Sequence, residues 1–70
     1  MQESMIQVEL ESGDGTIKQV IWLPNDGRVK VGKFITLVGD PDKFRWRIAR
    51  TFITLDKEDI NKNWRVGGIV

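Results

Sequence analysis

The side chains in this chain that could do chemistry are charged and aromatic rather than nucleophilic. Arg45 and Arg47 alternate with Phe44, Trp46 and Ile48, and Arg28, Lys30, Lys33 and Lys43 stand on adjoining turns. On an extended segment this alternation sends the apolar set to one face and the two arginines to the other. An arginine pair on an open face presents planar, forked donors to phosphate oxygens or to the acidic face of a partner protein. The same pair can simply be a solvated face that lies over apolar neighbours and discourages edge-to-edge pairing. On a chain of balanced charge this plainer role is preferred. Carboxylates gather at Asp40 and Asp42 and again at Asp56, Glu58 and Asp59. Neither group has the spacing of a calcium loop, and both suit solvated turns and caps.

Acid–base and nucleophilic catalysis find little to work with. The chain has no Cys, His or Tyr, which removes disulfides, thiol chemistry, zinc sites of the usual ligand types and imidazole catalysis. Ser4 lies near the start of the sequence and Ser12 in a turn, neither with a base beside it. Gly32 leads alone into a strand, whereas a phosphate-cradling loop needs several glycines leading into a helix. It reads instead as a residue of positive φ or close backbone approach. No enzymatic activity, cofactor, metal or small-molecule substrate is expected. Eleven basic against ten acidic residues leave a net charge of +1, so no global field draws the chain to nucleic acid or to anionic lipid. The polar start Met1-Gln2-Glu3-Ser4 has neither a signal-peptide nor a membrane-spanning pattern, which predicts an intracellular, non-secreted protein with no membrane partner.

The elements that must position these residues are strands. Seventy residues allow a single domain over 1–70 with a thin margin of stability. Ile6, Val8 and Leu10 alternate with Gln7, Glu9 and Glu11, the pattern of a strand with one wet face. The turn cluster Ser12-Gly13-Asp14-Gly15 and the β-branched, aromatic run from Ile17 to Leu23 complete a first hairpin. Pro24-Asn25-Asp26-Gly27 then reverses the chain. A Val-Lys-Val-Gly-Lys turn leads into Phe34 to Val38, and Gly39-Asp40-Pro41-Asp42 joins this strand to Phe44–Ile48 in a second hairpin. Phe52 to Leu55 reads as a fifth strand, with Asp56 positioned to cap one helical turn. Trp64-Arg65-Val66 ends in a flexible arm over 67–70, loosened by Gly67 and Gly68. The fold class is all-β: a small five-stranded SH3-like barrel with one late helical turn and a C-terminal arm. An OB-type barrel is the nearest alternative, and the short loops count against it. A sandwich needs more strands than this chain holds.

Trp22-Leu23-Pro24, Val31-Gly32-Lys33 with Leu37, and Trp46 with Ile48 resemble the pattern of small uncharacterised bacteriophage proteins over roughly residues 17 to 50. The resemblance implies phage origin and an SH3-like fold and carries over no binding residue. The Val-Gly-Lys turn and the strand after it also resemble the KOW module of ribosomal and transcription proteins and the small archaeal chromatin proteins. Both are normally far more basic than this chain.

Trp22, Phe34, Trp46, Phe52 and Trp64 exceed what so small a core needs, and indole rings favour interfaces. Ile21, Ile35, Leu37, Trp46 and Ile48 are expected inside. Trp22, Phe34 and Trp64 become candidates for a protein interface or for stacking on single-stranded bases. Val66, Ile69 and Val70 join the protein interface as the apolar part of an arm expected to dock on its own barrel or on a partner. The preferred function is a non-enzymatic interaction or assembly module, a phage structural or accessory protein that binds protein partners or copies of itself. The alternative is a nucleic-acid-binding barrel using Arg28, Lys30, Lys33, Lys43, Arg45 and Arg47.

Overall fold

The computed structural model describes residues 3–40 and 45–70. Lys43 and Phe44, together with the end of the turn before them, lie outside the described residues. The chain is all-β: strands β1 (Ser4–Glu11), β2 (Lys18–Pro24), β3 (Phe34–Thr36) and β4 (Arg45–Asp56) form one antiparallel sheet in the order β2-β1-β4-β3. A single 3₁₀ turn over Lys57–Asp59 follows β4. Its N-cap position is held by Asp56, whose side chain makes no capping hydrogen bond, so the expected cap is absent although the turn is present.

The alternation read from β1 and β2 sets the main core. Val8, Leu10, Ile21, Leu23, Ile35, Leu37, Trp46 and Ile48 are buried together with Val29, and Ile6 and Ile69 pack against them. All of the residues expected inside are buried. Gly32 has φ +89°, a conformation that L side chains rarely adopt, and its N–H donates to the Ile48 carbonyl at 2.8 Å. The turn before β3 therefore depends on glycine.

Two expectations about the strands are corrected. Phe34 to Val38 is shorter as a strand, ending at Thr36, while Leu37 makes an isolated bridge to Ile69. The fourth and fifth strands are one continuous β4 rather than two, giving four strands in the sheet. The break in alternation after Ile48 is a pair of bulges. Glu9 pairs with Arg50 and Leu10 with Ile48, so Ala49 is an extra residue; Ile6 pairs with Thr54 and Val8 with Thr51, so a second extra residue falls at Phe52 and Ile53. Each bulge bends the strand and shifts its inward phase, which lets one strand follow a curled sheet.

The 67–70 segment is not a loose arm. Trp22 N–H donates to the Arg65 carbonyl at 3.0 Å and Gly67 N–H to the Trp22 carbonyl at 2.9 Å, on the β2 edge. Val38 N–H donates to the Gly68 carbonyl at 3.0 Å and Val70 N–H to the Thr36 carbonyl at 2.9 Å, on the β3 side. The tail thus joins the two edges that the curled half-barrel leaves apart. Gly67 serves close approach rather than looseness, since a Cβ there would stand 2.7 Å from Ile21 Cδ1.

Candidate functional site

Trp22 is a correction to the expected interface. It does face away from Ile21 and Leu23, but it is buried, in a second small cluster with Met5 and Ile60 that Leu55 borders. The 3₁₀ turn delivers Ile60 onto a sheet face that looked open from the sequence. The Trp22 indole N–H has no hydrogen-bond partner among the described residues.

The other interface candidates lie at or near the surface. Phe34 is 53% exposed and Trp64 49%, Val66 and Val70 are also exposed, and Ile69 is partly buried against the main core. Trp64 and Val66 flank Arg65, whose Nη1 donates to Gln19 Oε1 at 2.6 Å on β2, so this part of the tail is tied to the β2 edge beside the exposed Val20. Ile17, Val31, Val38, Phe52 and Ile53 are exposed apolar residues that the sequence reading did not select. Phe52 and Ile53 carried a usable signal: two adjacent large apolar residues on a strand cannot both face inward.

The basic residues divide into paired and unpaired groups. Arg47 Nη2 reaches Glu11 Oε1 at 3.0 Å and Arg50 Nε stands 3.6 Å from Glu9 Oε1, two cross-strand pairs on the outer face. Exposed pairs of this kind contribute roughly 0–1 kcal/mol, and they reduce the positive field of the strand. Arg28 is held by Asp26, Nη2 to Oδ2 at 2.9 Å, with the Arg28 N–H donating to Oδ1 at 2.8 Å. These contacts lower the Asp26 pKa, chiefly through the side-chain hydrogen bond from Arg28, and raise that of Arg28. Arg45 lies over the Phe34 ring, 5.8 Å from its centroid. Lys30 and Lys33 form no ion pair among the described residues.

The structure brings Arg28, Lys33, Phe34, Arg45, Ile69 and Val70 to the walls of one open cleft of about 380 Å³. Basic and apolar candidates assigned to separate functions therefore meet at one place. Lys30 and Arg47 do not line it. A second cleft of about 490 Å³ lies at another part of the surface, between the start of β2, the 37–40 turn and the tail.

Among the described residues no group of three or more His, Cys, Asp or Glu could hold a metal ion, and no helix is long and apolar enough to cross a membrane. No protein-family model matches the sequence, and no curated protein or solved structure matches it either.

Proposed function

We propose that the chain is a non-enzymatic interaction or assembly module on an SH3-like barrel, a phage structural or accessory protein that binds protein partners or copies of itself. The observation that carries this reading is the density of exposed apolar side chains. Ile17, Val20, Val31, Phe34, Val38, Phe52, Ile53, Trp64, Val66 and Val70 all stand at the surface of a chain of 70 residues, and apolar surface on this scale is what partner burial uses. The SH3-like assignment is supported by the curled antiparallel sheet, the bulged β4 and the tail that ties β2 to β3. Trp64 and Val66 on the β2 edge, and Ile69, Val70 and Phe34 on the β3 side, are the contacts on which assembly would rest. The phage assignment rests on the sequence resemblance alone, and with it the host cytoplasm or virion as the setting.

The convergence of Arg28, Lys33 and Arg45 beside Phe34 favours a second reading, in which the barrel binds nucleic acid through phosphate contacts. Near-zero net charge and the carboxylate partners of Arg28 and Arg47 weigh against it. Solution mass across a concentration series, together with oligonucleotide binding at low and moderate salt, separates the two. Association that Trp64→Ser with Val66→Ser reduces supports the first. Tight oligonucleotide binding that survives physiological salt while the chain stays monomeric overturns it.

A further inference from the structure

β4 is much longer than the strand that covers its far side. The β3–β4 pairing ends at Ile48, whose carbonyl accepts from the Gly32 N–H at 2.8 Å and whose N–H donates to the Lys33 carbonyl at 2.9 Å. A turn closed by the Lys33 N–H on the Lys30 carbonyl at 3.0 Å precedes this point, and from Ala49 to Asp56 β4 pairs with β1 alone among the described residues. The direction of the backbone groups along this stretch follows from β1. The Ser4 carbonyl accepts from the Asn25 N–H at 3.0 Å, and the Ser12 N–H, just past β1, donates to the Ile17 carbonyl at 2.8 Å, so both bond toward the β2 side. Antiparallel alternation turns Ile6 and Val8 the same way and turns the β4 residues opposite them away from β1. Those residues are Asp56 opposite Ser4, Thr54 opposite Ile6 and Thr51 opposite Val8. Ile48, opposite Leu10, obeys the same rule and is the residue that the start of β3 takes up. The backbone groups of Thr51, Thr54 and Asp56 therefore face outward with no backbone partner among the described residues. Phe52 and Ile53, between the two threonines, are 45% and 56% exposed.

We propose that a second copy of the chain pairs with this edge, β4 against β4, antiparallel about a twofold axis that passes between Phe52 and Ile53. The inference rests on the interaction-module reading and names the partner of one surface. The edge is complementary to itself. Its bulge leaves Thr51 and Thr54 as successive outward-facing residues, so Thr51 of each copy can exchange backbone hydrogen bonds with Thr54 of the other. The same register sets Phe52 of each copy opposite Ile53 of the other, and Thr–Thr and aromatic–β-branched pairs are among those that stabilise adjoining strands. Charge selects the direction. Arg50 and Asp56 bracket the stretch, so antiparallel pairing brings the Arg50 end of one copy to the Asp56 end of the other, whereas parallel pairing would stack like charges. From Thr51 to Leu55 there is no charged residue and no proline, the side chains that commonly keep an edge strand from pairing. A contact of this isologous kind closes at two copies and leaves Trp64 and Val66, at the β2 edge, outside it.

The test uses the full chain, labelled with nitrogen-15, with solution mass and amide hydrogen exchange followed over a concentration series. The expected result is a monomer–dimer equilibrium in which exchange at the Thr51 and Thr54 amides slows as the dimer forms. Ile53→Lys puts a charge where pairing would desolvate it and should weaken association about tenfold or more, while the melting temperature of the dilute monomer stays nearly unchanged. Thr54→Pro removes an outward N–H from an edge position that tolerates proline and should weaken association likewise. The exchange measurement on the unaltered chain does not depend on how either variant folds. A mass that stays monomeric across the series, exchange at Thr51 and Thr54 that is independent of concentration, or a dimer that Ile53→Lys leaves intact would each overturn the proposal. If Trp64→Ser with Val66→Ser abolishes an association that Ile53→Lys leaves intact, the β4 contact falls and the interaction-module reading stands. If association responds to Ile53→Lys alone, the β4 contact stands and assembly through Trp64 and Val66 falls. Tight oligonucleotide binding by a monomer at physiological salt makes both fall.

Discussion

The three indole rings of this chain have three different fates, which burial and hydrogen bonding explain. Trp46 is buried and its Nε1 donates to Asp40 Oδ2 at 3.2 Å, so its ring fills the core while its polar edge is satisfied. Trp46→Ala should cost about 3–5 kcal/mol, a large share of the stability of so small a domain, and thermal melting should find the variant largely unfolded at room temperature. A variant that melts within a few degrees of the parent would place the ring outside the core. Trp22 is equally buried, but its N–H has no partner among the described residues, and such a donor costs about 1–3 kcal/mol. Trp22→Phe removes that donor along with some packing, and the two effects should nearly cancel, to within about 1 kcal/mol. Trp22→Ala should cost about 3–5 kcal/mol. Denaturant titration of both variants checks this: equal losses would mean that the N–H carries no penalty. Trp64 remains exposed and is the ring available to a partner.

The β1–β2 hairpin is organised around one carboxylate. Asp14 Oδ1 accepts from Ser12 Oγ at 2.7 Å, from Thr16 Oγ1 at 2.8 Å and from the Thr16 N–H at 3.1 Å. The Ser12 Oγ in turn accepts from the Ile17 N–H at 3.1 Å. These donors, the Ser12 hydroxyl foremost, favour the ionised form and lower the Asp14 pKa from 3.8 to about 2. A depressed folded-state pKa means that the contribution is fully present above 3.8 and is lost as pH falls through about 2. Melting temperature measured against pH for the parent and Asp14→Ala should show an advantage for the parent at neutral pH that shrinks across this window. A constant difference down to the lowest pH would mean that the ionised carboxylate does not hold the loop. The turn cluster was visible in the sequence as Ser, Gly and Asp. Which of its side chains would hold it was not, because all are turn formers and only the three-dimensional approach of Ser12 and Thr16 selects Asp14.

The molecule as a whole depends on its last residues. The sheet leaves β2 and β3 as opposite edges, and the tail supplies hydrogen bonds to both while Ile69 packs on the core. Deleting Gly67 to Val70 should therefore destabilise the domain by roughly 2 kcal/mol or more, from the lost burial of Ile69 together with several backbone hydrogen bonds at about 0.5–1.5 kcal/mol each. Calorimetry on the truncated chain tests this, and an unchanged melting temperature would show that the half-barrel stands without the tail.

Local pattern determined which residues form strands and which side chains share a face, because alternation depends only on neighbours along the chain. Ile21, Ile35, Leu37, Trp46 and Ile48 could be placed inside on that basis, and Gly32 at a positive φ. What covers a face depends on residues far away in sequence. Ile60 arrives from the 3₁₀ turn to bury Trp22, and β4 takes up the irregularity after Ile48 as bulges against β1 rather than ending there. The tail docks because two sheet edges stand close enough for Gly67 and Gly68 to pass between Ile21 and Val38. The meeting of Lys33, Phe34 and Arg45 at one cleft likewise follows from cross-strand register and curvature. Spacing along the chain holds no record of these, since each is a contact between elements whose approach is decided only when the core packs.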